Sequence, residues 1–298
     1  MIMDASRVND GSRRVRPGLS FEFFPPRQPE GEKLFWNTLE TLIPHHPDFV
    51  SITCGAGGSR QGGSGELVRQ VHERTGLHTV AHLTCVGASR AELTEMLRFY
   101  QGCGIPSILA LRGDPPRGEP EGAFERGAFR HAEPFVAFIR EYFPEFRLGV
   151  AAYPEGHPET PDKARDELHF RRKVEAGADF AVTQFFFENE VYFRFVASCR
   201  EKGVNVPIHP GIMPVTDYKQ IKRLSELCGS TLPVWLTSRY EAIRDDPEAM
   251  LRTGVEIAVA QCRDLLLRGA PGLHFFTLNQ SLAVPRILDA LSEEFYAG

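Results

Sequence analysis

The chain has 298 residues, 42% hydrophobic and 24% charged, enough apolar material to bury a large core as one big domain or two small ones. No run of about eighteen apolar residues occurs and Met1 to Pro17 is polar and arginine-bearing, which excludes a membrane-spanning helix and a secretory leader and makes the cytoplasm the expected location. A formal net charge of -5 without a basic stripe argues against nucleic acid, and six cysteines without a CxxC pair read as core thiols in a reducing compartment, with no metal site implied.

The first strand is expected at Leu19 to Phe24. There Ser20-Phe21-Glu22-Phe23-Phe24-Pro25-Pro26-Arg27 places one carboxylate in an apolar run that two prolines stop, because neither carries the N–H a sheet ladder needs. A carboxylate at the end of a buried strand is costly unless it is paired or used. Desolvation should raise its pKa, which would prepare Glu22 for general-acid work; a carboxylate capping a loop or pairing with an arginine is the alternative.

Further short apolar runs follow at Phe49 to Thr53, Thr79 to Thr84, Ser107 to Leu111, Leu148 to Ala152, Phe180 to Phe186, Val206 to His209 and Leu273 to Leu278. Helical periodicity separates most of them, at Lys33 to Ile43, Arg90 to Gln101, Glu133 to Tyr142, Asp162 to Ala176, Val191 to Lys202, Tyr218 to Cys228 and Pro247 to Arg268. Strand followed by helix, repeated over about 250 residues, predicts an α/β chain folded as a (β/α)8 barrel. Glycine stops at Gly76, Gly177, Gly203 and Gly269 support the helices. A doubly wound sheet would need a glycine-rich phosphate turn, and Gly55-Ala56-Gly57-Gly58-Ser59-Arg60 matches neither G-x-G-x-x-G nor the P-loop. With no linker to split the chain, residues 1–17 are expected to be a flexible tail and 18–298 a single barrel domain.

In such barrels the site is built where strands end. The polar residues at predicted strand ends are Glu22, Thr53, His82 and Thr84, Arg112-Gly113-Asp114, Tyr153 to His157, and Gln184. Singly each has a bland reading: His82 as a satisfied core histidine, Arg112 with Asp114 as a local ion pair. Convergence from six strands at one rim points to one site. Phe185, Phe186 and Phe187 read as core, with one available to line a flat pocket.

Several blocks together carry a family resemblance. They are Ser20 to Pro26, His82-Leu83-Thr84-Cys85, Leu109 to Asp114, Ala152 to Glu159, Lys173 to Ala178, Thr183 to Phe187, Pro210 to Val215 and His274 to Asn279. In order and spacing the chain resembles the bacterial 5,10-methylenetetrahydrofolate reductases, from about Leu19 to the last strand. The resemblance implies a flavin-containing barrel without a Rossmann domain. It implies reduction of 5,10-methylenetetrahydrofolate to 5-methyltetrahydrofolate, with NADH or NADPH as electron source and FAD as carrier in a ping-pong sequence.

By resemblance, Thr53, Cys54, Ala56, His82, Leu111, Arg112, Gly113, Asp114, Ala132, Tyr153, His157, Asp166, His169, Arg172 and Lys173 match positions that hold FAD. Arg172 and Lys173 would then charge-balance its pyrophosphate, although a basic doublet is also the ordinary surface of a helix. Asp114 matches a carboxylate that meets both flavin and pterin, Glu22 the proton donor, and Gln184 and Gln220 substrate-binding positions. Three positions depart from the pattern: Cys54 where tyrosine is common, Leu224 where some relatives have phenylalanine, and Gln280 where a cation commonly meets the folate tail. Losing that charge-assisted pair weakens tail binding by roughly 1 kcal/mol or somewhat more.

Another FAD barrel, such as a proline dehydrogenase, is the alternative, and a non-catalytic binding barrel a second. The residues leave open NADH against NADPH, a homo-oligomer against a monomer, and whether a partner protein delivers electrons.

Overall fold

The computed structural model describes residues 16–26, 28–53, 64–114, 127–160 and 162–296. Eight strands run in parallel: β1 (Gly18–Phe23), β2 (Phe49–Ile52), β3 (Thr79–Thr84), β4 (Ser107–Leu111), β5 (Arg147–Ala152), β6 (Phe180–Phe185), β7 (Ile208–Ile212) and β8 (Gly272–Phe276). They pair in chain order and close when β8 returns to β1, with Ser20 opposite His274. Ten α-helices are found among the described residues: α1 (Pro29–Leu42), α2 (Ser64–Thr75), α3 (Arg90–Gly102), α4 (Ala132–Tyr142), α5 (Lys163–Glu175), α6 (Asn189–Glu201), α7 (Tyr218–Cys228), α8 (Val234–Glu241), α9 (Pro247–Leu267) and α10 (Ala283–Leu291). None is long and apolar enough to cross a membrane.

Parallel strands need crossovers, and crossover helices bury the outer face of the sheet, so the strands are apolar on both sides. The helices start where the sequence offers an acceptor. Ser89 and Glu92 form a reciprocal capping box on α3, and Asp162, Asp217 and Asp246 cap α5, α7 and α9. The four expected glycine stops all adopt positive φ.

The interior is packed with side chains. Phe49 of β2 meets Phe180 of β6 at 5.7 Å, and those strands are not neighbours, so the contact crosses the barrel. The Phe180 ring has room because β5 carries Gly149, whose Cβ would lie 2.5 Å from Phe180 Cζ and 2.7 Å from Leu109 Cδ1.

Two differences from expectation stand out. β7 lies at Ile208–Ile212 instead of Val206 to His209, and contains Pro210. The β6–β7 register slips between Val182 and Phe185, and there the Gly211 N–H donates to Thr183 Oγ1 at 2.8 Å, so a side chain replaces a ladder carbonyl beside the proline. α2 ends at the expected stop Gly76, and α2 and α10 fill the places after β2 and β8 that the strand-helix alternation requires, whereas α8 is an eight-residue addition between α7 and α9 with no counterpart in the pattern. Arg16 donates to the carbonyls of His45 and His46 at 2.9 and 2.6 Å and so belongs to the barrel's base, while residues 1–15 lie outside the described residues.

Candidate active site

Alternation along β1 turns Ser20 and Glu22 to the same side, into the barrel. Glu22 is 7% exposed, and its Oε2 lies 3.5 Å from Nε2 of His82 on β3 and 3.4 Å from Nε2 of His274 on β8. Ser51 stands between on β2, in register with Glu22, and its small side chain leaves His82 a path across that strand. Burial pushes the Glu22 carboxyl up, yet the two imidazoles, His82 by charge and His274 by hydrogen bond and charge, outweigh it and hold the carboxyl below its ordinary value. The expectation that desolvation raises this group is therefore corrected: the barrel supplies partners that a strand read alone does not reveal. Burial in turn holds His82 low, against the pull of Glu22.

The end of β1 is pinned to the end of β8. Thr277 donates to the Glu22 carbonyl from its hydroxyl at 2.7 Å and its amide at 3.2 Å. Asn279 exchanges two hydrogen bonds with the Phe24 backbone, at 2.9 and 2.8 Å. Leu278 and Asn279 both take left-handed backbone, φ 50 and 56, a conformation non-glycine residues hold only when their surroundings enforce it. The turn aims Gln280 toward the β7 loop, where its Oε1 accepts from Thr216 Oγ1 at 3.1 Å.

The expected substrate-side residues occupy the same barrel end. Asp114 is exposed after β4, Gln184 is half-buried with Oε1 accepting the Phe185 amide at 3.0 Å, and Gln220 is exposed on the first turn of α7. Leu224 is half-buried against a cluster that includes Phe185 and Met213. Gly113 brings the β4 loop against β3: its φ is +83, and a Cβ there would lie 2.8 Å from both Thr84 and Val86. Asp114 and Arg112 are thereby fixed to either side of it.

The expected cofactor side carries Arg112, Arg172 and Lys173 with two carboxylates, Glu159 and Asp166, among them. Arg112 pairs with Glu159 at 2.6 Å, and the His157 and Tyr153 rings meet edge-on at 4.7 Å. Asp166 is buried and pushed up by that burial, with Lys173 and His157 opposing. Lys173 is held down to about 8 by burial, which outweighs the pull of Asp166. It bonds to the Ala151 carbonyl, whereas Arg172 is exposed; adjacent helical residues point about 100° apart, so the two are not one clamp. His169 stacks on His131 at 6.1 Å, next to Ala132 at the start of α4. Thr53 Oγ1 is buried without a hydrogen-bond partner among the described residues, and Leu111 is half-buried on β4. Cys54 and Ala56 lie outside the described residues.

Reading the sequence missed Ser20, His274 and His131 as site residues. Ser20 and His274 stood in blocks already recognised, but only barrel closure sets β8 beside β1. For His131 the signal was its place before the α4 start.

This rim, with its buried carboxylate and cationic side, belongs to a chain whose residues 7–292 match the family model of methylenetetrahydrofolate reductase. The chain belongs to this family. It is 40% identical over 265 residues to the 5,10-methylenetetrahydrofolate reductase of Salmonella typhimurium, covering 88% of this chain and 86% of that one. The Escherichia coli enzyme of the same name is 39% identical over the same length. Methylenetetrahydrofolate reductase (NADH) 1 of Arabidopsis thaliana is 35% identical over 283 residues, but the match takes in only 48% of the plant protein. Among solved structures, a Clostridium thermocellum protein that binds two copies of 5-methyl-5,6,7,8-tetrahydrofolic acid superposes with a TM-score of 0.65, covering 95% of this chain and 96% of that one. At 14% identity that likeness speaks for the barrel alone. As a methylenetetrahydrofolate reductase family member the chain is an oxidoreductase, and the amino-acid-oxidising alternative falls.

Proposed function

We propose that this protein reduces 5,10-methylenetetrahydrofolate to 5-methyltetrahydrofolate with electrons from NADH or NADPH, through bound FAD, in a ping-pong sequence. The observation that carries the reading is Glu22: a buried carboxylate at a barrel strand end, faced by two imidazoles and no fixed cation among its described polar contacts. A carboxylate kept for structure alone is ordinarily matched by an arginine or lysine; here the partners are imidazoles, side chains that can themselves take up or pass on a proton.

The residues present fit FAD. Thr53 Oγ1 is buried without a hydrogen-bond partner among the described residues at one expected contact, and Arg112, Arg172 and Lys173 bring positive charge where a diphosphate must be neutralised without a glycine-rich helix start, while burial and the neighbouring cations hold the His157 and His169 imidazoles below their ordinary value, as neutral donors or acceptors. Bound there, the flavin supplies the hydride relay between nicotinamide and folate. Asp114 adds a negative charge at the β4 end that would disfavour an anionic reduced cofactor. Glu22 gives its proton to the folate nitrogen whose protonation opens the five-membered ring, and its carboxylate is then left facing His82 and His274. Gln184, Gln220 and Gln280 offer amides to the pterin edge and the glutamate tail.

The test starts with the visible spectrum of the purified protein, where bound flavin absorbs near ~450 nm. NADH and NADPH are then added separately without oxygen, followed by methylenetetrahydrofolate. Bleaching by at least one nicotinamide and recovery with folate supports the reading. A colourless protein, or a flavin that folate cannot reoxidise, ends it.

A further inference from the structure

Among the described residues, the titratable groups that face the Glu22 carboxylate are His82 from β3, His274 from β8 and, from α7, the half-buried thiol of Cys228. Of these, His274 is the one held on every side. It is 1% exposed, stacked on Phe49 at 5.8 Å and met edge-on by Phe276 at 5.4 Å. Its Nδ1 lies 2.8 Å from Ser20 Oγ, which also lies 3.3 Å from the Leu273 carbonyl oxygen. Beyond it sits His209 of β7, pushed down to about 3 by burial and by the charges of His274 and Arg147, so that this imidazole is neutral at pH 7.

Ser20 has one hydroxyl hydrogen to give. Donated to Leu273, it leaves His274 Nδ1 as the donor to Ser20, and a neutral ring then turns a bare Nε2 toward Glu22. Two lone pairs cannot face each other in a buried contact, so a proton must lie between Nε2 and Oε2. Donated instead to Nδ1, the hydroxyl leaves Nε2–H pointing at an ionised carboxylate. The orientation of one hydroxyl thus distinguishes a pair holding an extra proton from one that has released it.

We propose that His274 is a positioning residue for Glu22, with Ser20 fixing its Nδ1–H so that Nε2 shares the proton that Glu22 delivers to the substrate. The inference rests on the reading of Glu22 as the acid. In the step, the Oε2–H bond breaks and an N–H bond forms on the folate; the electron pair stays on the carboxylate, and one proton from solvent restores the pair. Nothing is oxidised or reduced in this transfer. His274 keeps a buried acid from holding its proton too firmly, which a carboxyl in an apolar barrel would otherwise do.

Two measurements on the full-length flavoprotein test this. Imidazole ¹⁵N NMR with labelled histidine reads the protonation of His274 with no substrate present. Glu22→Gln and Ser20→Ala should each change its tautomer, read from the two ring-nitrogen shifts; a His274 tautomer indifferent to both overturns the proposal. Stopped-flow reoxidation by methylenetetrahydrofolate is then followed against pH. His274→Asn should slow this half-reaction by about tenfold, raise its apparent pKa, and slow it more than reduction by the nicotinamide. Should His274→Asn not fold, Ser20→Ala, which leaves the ring in place, should show the same displaced profile. A pH profile superimposable on that of the unsubstituted protein overturns the proposal. If the unsubstituted protein ignores folate, the functional reading fails instead, and the NMR arm still decides whether His274 and Glu22 share a proton.

Discussion

Lys173 Nζ donates to the Ala151 carbonyl oxygen at 2.6 Å, so the ammonium of α5 is tied to the fifth strand. It lies 6.0 Å from the Tyr153 ring centroid and 5.7 Å from that of Phe170. Arg172 next to it is exposed, and cofactor retention should therefore depend on the two unequally. Lys173→Met is expected to weaken FAD binding by roughly 1.5–3 kcal/mol, and Arg172→Ala by about 1 kcal/mol or less. Fluorescence titration of the flavin-free protein measures both, and equal losses would show that the pair acts together.

The same lysine sets a pH dependence. Its free-protein pKa is lowered to about 8, because burial disfavours the ammonium. A diphosphate beside it favours the charged form, so binding above that pH must draw in a proton. FAD affinity is expected to fall as pH rises through about 8 toward the ordinary lysine range, and to be flat below it. Titrations at successive pH values check the direction; an affinity that rises with pH in this window excludes Lys173 from the diphosphate.

Glu22→Gln keeps size and hydrogen-bonding capacity and removes the proton. Flavin reduction by the nicotinamide should persist within about tenfold, while reoxidation by folate falls at least ~10²-fold, the usual contribution of a positioned acid. Stopped-flow absorbance separates the halves. Equal slowing of both would mean that Glu22 organises the whole site.

Gln280 stands where relatives commonly carry a cation and accepts from Thr216 Oγ1 at 3.1 Å. Gln280→Arg exchanges that local bond for a charge directed at the folate glutamate. The expected result is a lower KM for methylenetetrahydrofolate with unchanged flavin reduction by the nicotinamide. A KM that stays put or rises would place tail recognition elsewhere.

The Gly149→Ala substitution sets a methyl 2.5 Å from Phe180 Cζ inside the barrel. Overpacking of this kind costs about 1–3 kcal/mol, visible as a lower urea midpoint. Phe180→Leu in the same chain should recover part of the loss; no recovery would locate the strain in the strand itself.

The barrel was legible because periodicity is a local property: runs such as Thr79 to Thr84 and Tyr218 to Cys228 carry their own pattern, and both fall where expected. Pro210 misplaced β7, since a proline breaks a ladder unless a neighbour such as Thr183 takes over the bonding, and that depends on register. Glu22 could be singled out from its own segment, but the direction of its pKa shift could not, because the residues that set it are 60 and 252 positions away. Arg172 and Lys173 were read as a doublet from adjacency, whereas a helix sends neighbours to different surroundings.

The pins between Glu22 and Thr277, and between Phe24 and Asn279, have a consequence for synthesis on the ribosome. The acid is made in the first strand and one of its imidazoles, His82, in the third, but His274 and the backbone clamps come from the last. A nascent chain that stops short of β8 therefore carries a half-partnered carboxylate in an unclosed sheet, with β1 and β7 as open edges. Chemistry and the sealing of those edges against other chains arrive together, in one late docking event.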